Sequence, residues 1–330
     1  MTAPMDVTGG DAKATPEAVV DGAGRKAIQG RSLGQIAWMR LKRDKVALAG
    51  GLIVIFLILV AVFAPVIAGA FGQDPTQFNS DLIDSSTMAP KTGTGISADH
   101  LFGIEPVNGR DIFSRVVYGA RISLLIAFLA TLLSVVIGTL LGVTAGYFGG
   151  LVDSIISKAM DVFLAFPILV FAIALAGVVP DSAFGLTGDT LRVSLLVFII
   201  GFFNWPYIGR IIRGQTLSLR EREFVDAARS LGARGPYIIF RELLPNLVAP
   251  ILIYSTLLIP TNVLFEAALS FLGVGVRPPT PTWGGMLAEA VRFYTIPHFM
   301  FFPGMAIFIT VLAFNLFGDG LRDALDPKAR

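Results

Sequence analysis

Long apolar runs separated by polar or basic stretches dominate this chain. Six of them, near residues 46–70, 118–146, 158–179, 190–212, 247–272 and 298–318, reach the roughly 20 residues that a membrane-crossing helix requires. Lipid offers backbone N–H and C=O groups no partners, so each run has to satisfy its own hydrogen bonds as a helix. Apolarity is continuous within each run, whereas barrel strands alternate. The pattern predicts an all-α, polytopic membrane protein with six transmembrane helices.

Composition agrees. Of 330 residues, 54% are hydrophobic and 15% charged, where a soluble domain carries roughly a quarter charged. The absence of cysteine excludes a disulfide framework, a thiolate metal site and a thiol nucleophile. Basic residues then orient the chain. Eight lie in the N-terminal arm (Lys13, Arg25, Lys26, Arg31, Arg40, Lys42, Arg43, Lys45) and seven between spans four and five (Arg210, Arg213, Arg220, Arg222, Arg229, Arg234, Arg241). With Lys158 and the C-terminal tail, one side holds nineteen, against five on the other: Lys91, Arg110, Arg115, Arg277 and Arg292. Both termini and the loop after span four are therefore expected in the cytoplasm. Residues 1–32 are small, polar and glycine-rich, which predicts a disordered cytoplasmic arm with no signal peptide.

Between the spans, residues 71–117 form a long external loop. Its end, from Arg110 to Tyr118, has a helical pattern suited to a packed external elbow or to resting on the membrane surface. Gly138, Gly142 and Gly146 make a small-residue seam on span two, suited to close helix packing or to sliding. Pro167, Pro206 and Pro260 are expected to interrupt spans three, four and five. Asn204 and Trp205 flank Pro206; they could line a polar pathway, or Asn204 could bond a neighbouring helix. Glu266, about twenty residues into span five, is an ionisable group in an apolar run. Such groups are costly and often functional, but its place near the external end favours a structural pin over a ligand contact. Pro278, Pro279 and Trp283 follow it, giving a stiff turn with an interfacial aromatic.

Catalytic chemistry is not legible. The G-x-x-x-x-G-K-[ST] phosphate loop is missing. The two histidines, His100 and His298, lack paired-ligand spacing and are expected to be external polar residues. No catalytic residue, cofactor or metal ligand is assigned to this chain.

The basic loop between spans four and five has its own pattern. From Arg220 to Gly232 it is helical, with Phe224, Ala227, Ala228 and Leu231 on one face. Gly232 is suited to a positive φ that ends the helix, and Tyr237 to Leu243 makes a second helical stretch before Leu244-Pro245 starts the next span. A basic amphipathic helix of this kind could lie on anionic lipid or present its small face to a protein.

The sequence Asp226-Ala227-Ala228, then Gly232, then Leu244-Pro245 resembles the EAA loop of the membrane subunits of ABC importers. It departs from that pattern in Asp226, where Glu is usual, and in Glu242, where Ile is usual. His100-Leu101-Phe102-Gly103, Asn108 to Arg115, Gly119 to Ser123, Ser270 to Gly273 and Gly318 to Asp323 are similar to the dipeptide/oligopeptide/nickel permease family, in its C-type subunit. The resemblance implies a type I ABC importer (MetI-like) permease fold. It divides the chain into an N-terminal region (33–117), a permease core (118–318) with a coupling loop (214–245), and a tail (319–330). It further implies a second, homologous permease, two ATPase subunits that hold ATP and Mg, an extracytoplasmic binding protein, and a short peptide or a nickel chelate as cargo. Lipid surrounds the chain, and no nucleic-acid partner is expected. An ion-coupled secondary transporter is the rival from another class, but it would place carboxylates near the midplane. By resemblance, Phe224, Asp226, Ala227, Ala228, Leu231, Gly232, Leu244 and Pro245 couple to the ATPase. Asn204, Trp205, Pro206, Pro260 and Glu266 belong to the pathway or its gate, and Pro278, Pro279 and Trp283 face the binding protein.

Overall fold

The computed structural model describes residues 33–180 and 182–326. The arm at 1–32 and the last residues of the tail lie outside the described residues. Helix α1 (Leu33–Leu41) precedes α2 (Lys45–Val62). The carboxylate of Asp44 caps α2 by accepting from the Val46 and Ala47 N–H groups. The first predicted span is two helices. The chain stops at Phe63 and restarts as α3 (Ala64–Phe71), with Pro65 in its first turn, the one place where a missing N–H breaks no helical bond.

Helix α4 (Ile112–Phe148) is 37 residues long, about 55 Å at 1.5 Å per residue, so it overreaches the hydrocarbon core of about 30 Å. Its first turns are the segment expected to rest on the membrane surface. Asp111 caps it, accepting from the Ser114 N–H at 2.7 Å, and nothing breaks the helical pattern before Gly149. Consequently Ile112, Ser114 and Arg115 are buried at the start of a continuous helix.

Helix α5 (Gly150–Ala165) and α6 (Ile168–Val178) follow, bent by 76° where Pro167 falls. A short hairpin, β1 (Ser182–Ala183) with β2 (Leu186–Thr187), leads into α7 (Gly188–Arg220). Pro206 sits inside α7 and Pro260 inside α10 (Leu244–Phe271), and both helices continue through them; of the three prolines expected to interrupt spans, only Pro167 does so. Between them lie α8 (Glu223–Ser230) and the single turn α9 (Gly235–Tyr237). The six-residue π segment Ile238–Leu243 then runs into α10 without a gap. Leu244-Pro245 is therefore an interior step, not a helix start. The wider π turn gives room for a proline that has no N–H and whose ring crowds the preceding turn. Finally come α11 (Trp283–Ala290) and α12 (Pro297–Leu325); α12 runs past residue 319, where the tail was expected.

Five of these helices are long and apolar enough to cross a membrane, and α5 with α6 makes a sixth, bent span. Their order gives the molecule two ends. One carries α1, α8 and the C-terminus of α12; the other carries residues 72–111 and α11. Helices α4 and α7 pack most extensively, and the glycine seam is the reason. A Cβ on Gly138 would lie 2.7 Å from the Trp205 carbonyl oxygen, and one on Gly142 would lie 2.6 Å from that of Gly209. The boundary at 117/118 thus falls within α4. Around the seam, apolar clusters join α4 to α10, α11 and α12, while outward residues such as Leu52, Phe56 and Leu132 are exposed, as a lipid-facing surface requires.

Candidate functional site

At one end, α8 is held to the body by Val225. This side chain is fully buried with Ile208, Ile212, Ile238, Leu243 and Leu247. Glu223 and Asp226 lie in the first turn of α8 and Arg229 in the last, matching the helix dipole; Arg229 also pairs with Asp226 at 3.2 Å. The helix ends in a Schellman turn. Gly232 has φ +82°, its N–H donates to the Arg229 carbonyl at 2.9 Å, and the Ala233 N–H donates to the Ala228 carbonyl at 3.0 Å. Glycine is needed here for its backbone, since nothing lies within 4 Å of the position a Cβ would take.

The outer side of α8 forms a groove of about 630 Å³ with the start of the next helix, lined by Phe224, Ala227, Ala228, Leu231, Tyr237 and Glu242 among others. Leu231, at 89% exposed, is an apolar side chain held out of the protein. Asp226 is exposed beside the groove, whereas Leu244 and Pro245 sit in the continuous helix outside its lining. Val225 is absent from the sequence-predicted face. Its signal is a β-branched apolar residue between the exposed Phe224 and Asp226.

Arginines brace this end. Arg220 donates to the Gly146 carbonyl at 3.1 Å, tying α7 to the end of α4. Arg213 grips Asp153 of α5 with two nitrogens.

Within the helices, Asn204 donates to Asn262 Oδ1 at 2.9 Å, and Asn262 donates to Thr131 Oγ1 at 2.8 Å. This relay crosses from α7 through α10 to α4, and Asn262 and Thr131 are residues the sequence pattern did not single out. Trp205 and Pro206 are buried, and Trp205 packs edge-on to Phe163. Pro260 is buried too. Glu266 is wholly buried and accepts the Ser270 hydroxyl at 2.7 Å.

The opposite end is organised around α11. Trp283 does not face outward. It is 1% exposed, and its Nε1 donates to the Val116 carbonyl at 2.9 Å. Its backbone N–H points to Ser123 Oγ at 3.3 Å. Gly119 admits the indole, since a Cβ there would lie 2.9 Å from the ring. Pro278 and Pro279, joined by a cis bond, are exposed above it.

A buried charge cluster clamps α11 to α4. Arg110 bonds Glu105, and Arg115 Nε faces Glu105 Oε2 at 3.1 Å as an ion pair, without hydrogen-bond alignment. Glu289 Oε2 lies 3.2 Å from both guanidiniums. Burial pushes the Glu105 carboxyl above its ordinary value, against the opposing pull of Arg115 and Arg110. The two histidines lie at this same end and are buried as well. His100 Nδ1 lies 3.1 Å from Asp111, and His298 Nε2 lies 3.4 Å from the Ile104 carbonyl. No cluster of three metal-ligating side chains exists among the described residues.

A bundle of membrane-length helices with an anchored, glycine-ended short helix at one end defines a polytopic helical membrane protein. Residues 138–330 match the family "Binding-protein-dependent transport system inner membrane component", and residues 32–90 match "N-terminal TM domain of oligopeptide transport permease C". The chain belongs to the first of these families and is a multi-pass inner-membrane protein. It is 40% identical over 299 residues to a dipeptide transport system permease protein of Alkalihalophilus pseudofirmus, covering 89% of this chain and 90% of that one. It is 42% identical over 294 residues to a glutathione transport system permease protein of Escherichia coli, with the same coverage. In fold it is similar to the MetNI methionine ABC transporter in its inward-facing form, with a TM-score of 0.52 at 18% identity, covering 65% of this chain and 98% of that one. The fold is that of a type I importer permease.

Proposed function

We propose that this chain is the C-type permease subunit of an ATP-driven importer of short peptides, working with a homologous permease, two ATPase subunits and an extracytoplasmic binding protein. The names of the two relatives support the peptide cargo, and the basic-residue count supports a cytoplasmic α8 and an external α11. ATP and Mg are held by the ATPase subunits, and this chain supplies no catalytic group.

The groove beside α8 carries the proposal. An apolar side chain at 89% exposure, small alanines that permit close approach, and a fixed turn at Gly232 make a surface that gains from a protein partner. Val225 sits in the same apolar cluster as Ile208, Ile212 and Leu247, so a push on α8 reaches α7 and α10. ATP-driven closure of the ATPases draws the two α8 loops together and opens the permeases on the α11 side. Switching such an equilibrium almost fully takes about 5.5 kcal/mol of differential binding.

The test is reconstitution in liposomes with the partner subunits, measuring ATP hydrolysis and uptake with a peptide mixture and with nickel. Peptide-stimulated hydrolysis and uptake are expected. Stimulation by nickel alone, or peptide uptake driven by an ion gradient without ATPase subunits, refutes the assignment.

A further inference from the structure

Arg121 is the only charged residue in the apolar run 118–146 of α4. It is exposed, and it makes no hydrogen bond, ion pair or ring contact with any described residue. An ionisable side chain inside a span is costly unless something meets its charge. Tyr118 lies one turn earlier on the same side of the helix. It is half-buried, and its hydroxyl makes no hydrogen bond among the described residues.

Further along α4 from Arg121 the surface is apolar. A cavity of about 360 Å³ runs between Ile58, Ala61 and Val62 at the end of α2 and Leu124, Leu125 and Phe128 of α4, with Arg121 as its polar edge. Continuing the same side of α4, Leu125, Leu129, Leu132, Val136 and Leu140 are all exposed. They recur every three or four residues, so they form one stripe, and Arg121 heads it. A stripe of large apolar side chains with no polar member faces lipid rather than a water-filled path. The groove therefore has a cation and a phenol at its α11-side edge and hydrocarbon-like walls below them. A phospholipid has the complementary order, a phosphate above an acyl chain. The guanidinium fork matches phosphate oxygens. With no carboxylate in ion-pair distance of Arg121 among the described residues, its charge favours a lipid that is anionic overall.

We propose that this groove holds one anionic phospholipid of the leaflet on the α11 side, with Arg121 and Tyr118 donating to its phosphate and an acyl chain lying between α2 and α4. The bound lipid then helps to hold α2 against the permease core. Cargo plays no part in this site, so it stands or falls separately from the peptide reading.

The test uses the complete transporter in liposomes containing phosphatidylglycerol with a photoactivatable acyl chain, and mass spectrometry to map the adducts. Adducts are expected on residues 58–62 and 124–128. Unlabelled phosphatidylglycerol should compete at a roughly fivefold lower concentration than phosphatidylcholine. Arg121→Gln should cut the adduct yield about tenfold, the size of one charge-assisted hydrogen bond, and Arg121→Lys should cut it less. Val62→Phe, which narrows the groove at its exposed lip and leaves the charge, should also lower the yield. Unchanged yield in Arg121→Gln overturns the proposal, as does equal competition by the two lipids. Absence of adducts from this groove in the assembled transporter means that a partner subunit covers it, and overturns the proposal too.

Discussion

Gly232 and Val225 set the geometry of α8 by different means. At φ +82°, a β-branched residue is strained whatever the space around it, at a cost of about 1–3 kcal/mol. Gly232→Val is therefore expected to insert normally yet lose peptide-stimulated ATP hydrolysis, and Gly232→Asn, which tolerates that region, should retain more. Full transport by Gly232→Val would show that the turn has no such role. Val225 acts through packing. Val225→Ala removes two methyl groups from a fully buried side chain and should weaken docking of α8 by roughly 1.5 kcal/mol, seen as faster proteolysis at Arg222 and Arg229. At the other end, Glu105→Ala leaves Arg110 and Arg115 with Glu289 as their shared carboxylate. It should cost about 3–5 kcal/mol in thermal unfolding. Glu105→Gln should cost clearly less, because burial already raises the Glu105 carboxyl and an amide still accepts a guanidinium N–H. Equal losses for the two variants would contradict that account of the cluster.

Helix α4 owes its place to absent side chains as much as to present ones. Gly142→Leu would put a side chain where even a Cβ meets the Gly209 carbonyl at 2.6 Å. Overpacking of this kind costs about 1–3 kcal/mol or more, so the variant should reach the membrane but unfold at lower temperature. An unchanged melting point would mean that α4 and α7 are not seated this closely. The seam is legible in sequence because it is periodic along one helix, and so are the six spans, because length and apolarity act locally. The Gly232 turn is legible for the same reason, since its determinants lie within a few residues. What escapes is set by distant partners. Arg110 meets Glu289 across 179 positions, and nothing in the linear pattern marks them as partners. Trp283 reads as an interfacial aromatic by type, yet Gly119, on another helix, admits its ring to the core. Asn262 reads as one polar residue in an apolar run until α7 and α4 bring Asn204 and Thr131 to it.

For the whole molecule, the two ends carry different surfaces on one continuous helical frame. The α8 end offers an apolar groove and bracing arginines. The α11 end is a charge-clamped cap. Between them, α4, α7 and α10 run the full distance and are joined by the Asn204–Asn262–Thr131 relay. The central claim is that the α8 groove is where the ATPase docks. Because the chain has no native cysteine, Leu231→Cys gives a single thiol at the most exposed point of the groove, and Pro279→Cys gives a control at the other end. The decisive measurement is the maleimide labelling rate of each thiol in membranes, with and without the ATPase subunits. The account predicts that assembly protects Leu231→Cys by at least about tenfold, the change that 1.4 kcal/mol of added binding produces, and leaves Pro279→Cys accessible. Equal labelling of Leu231→Cys in the presence and absence of the ATPase subunits would contradict it.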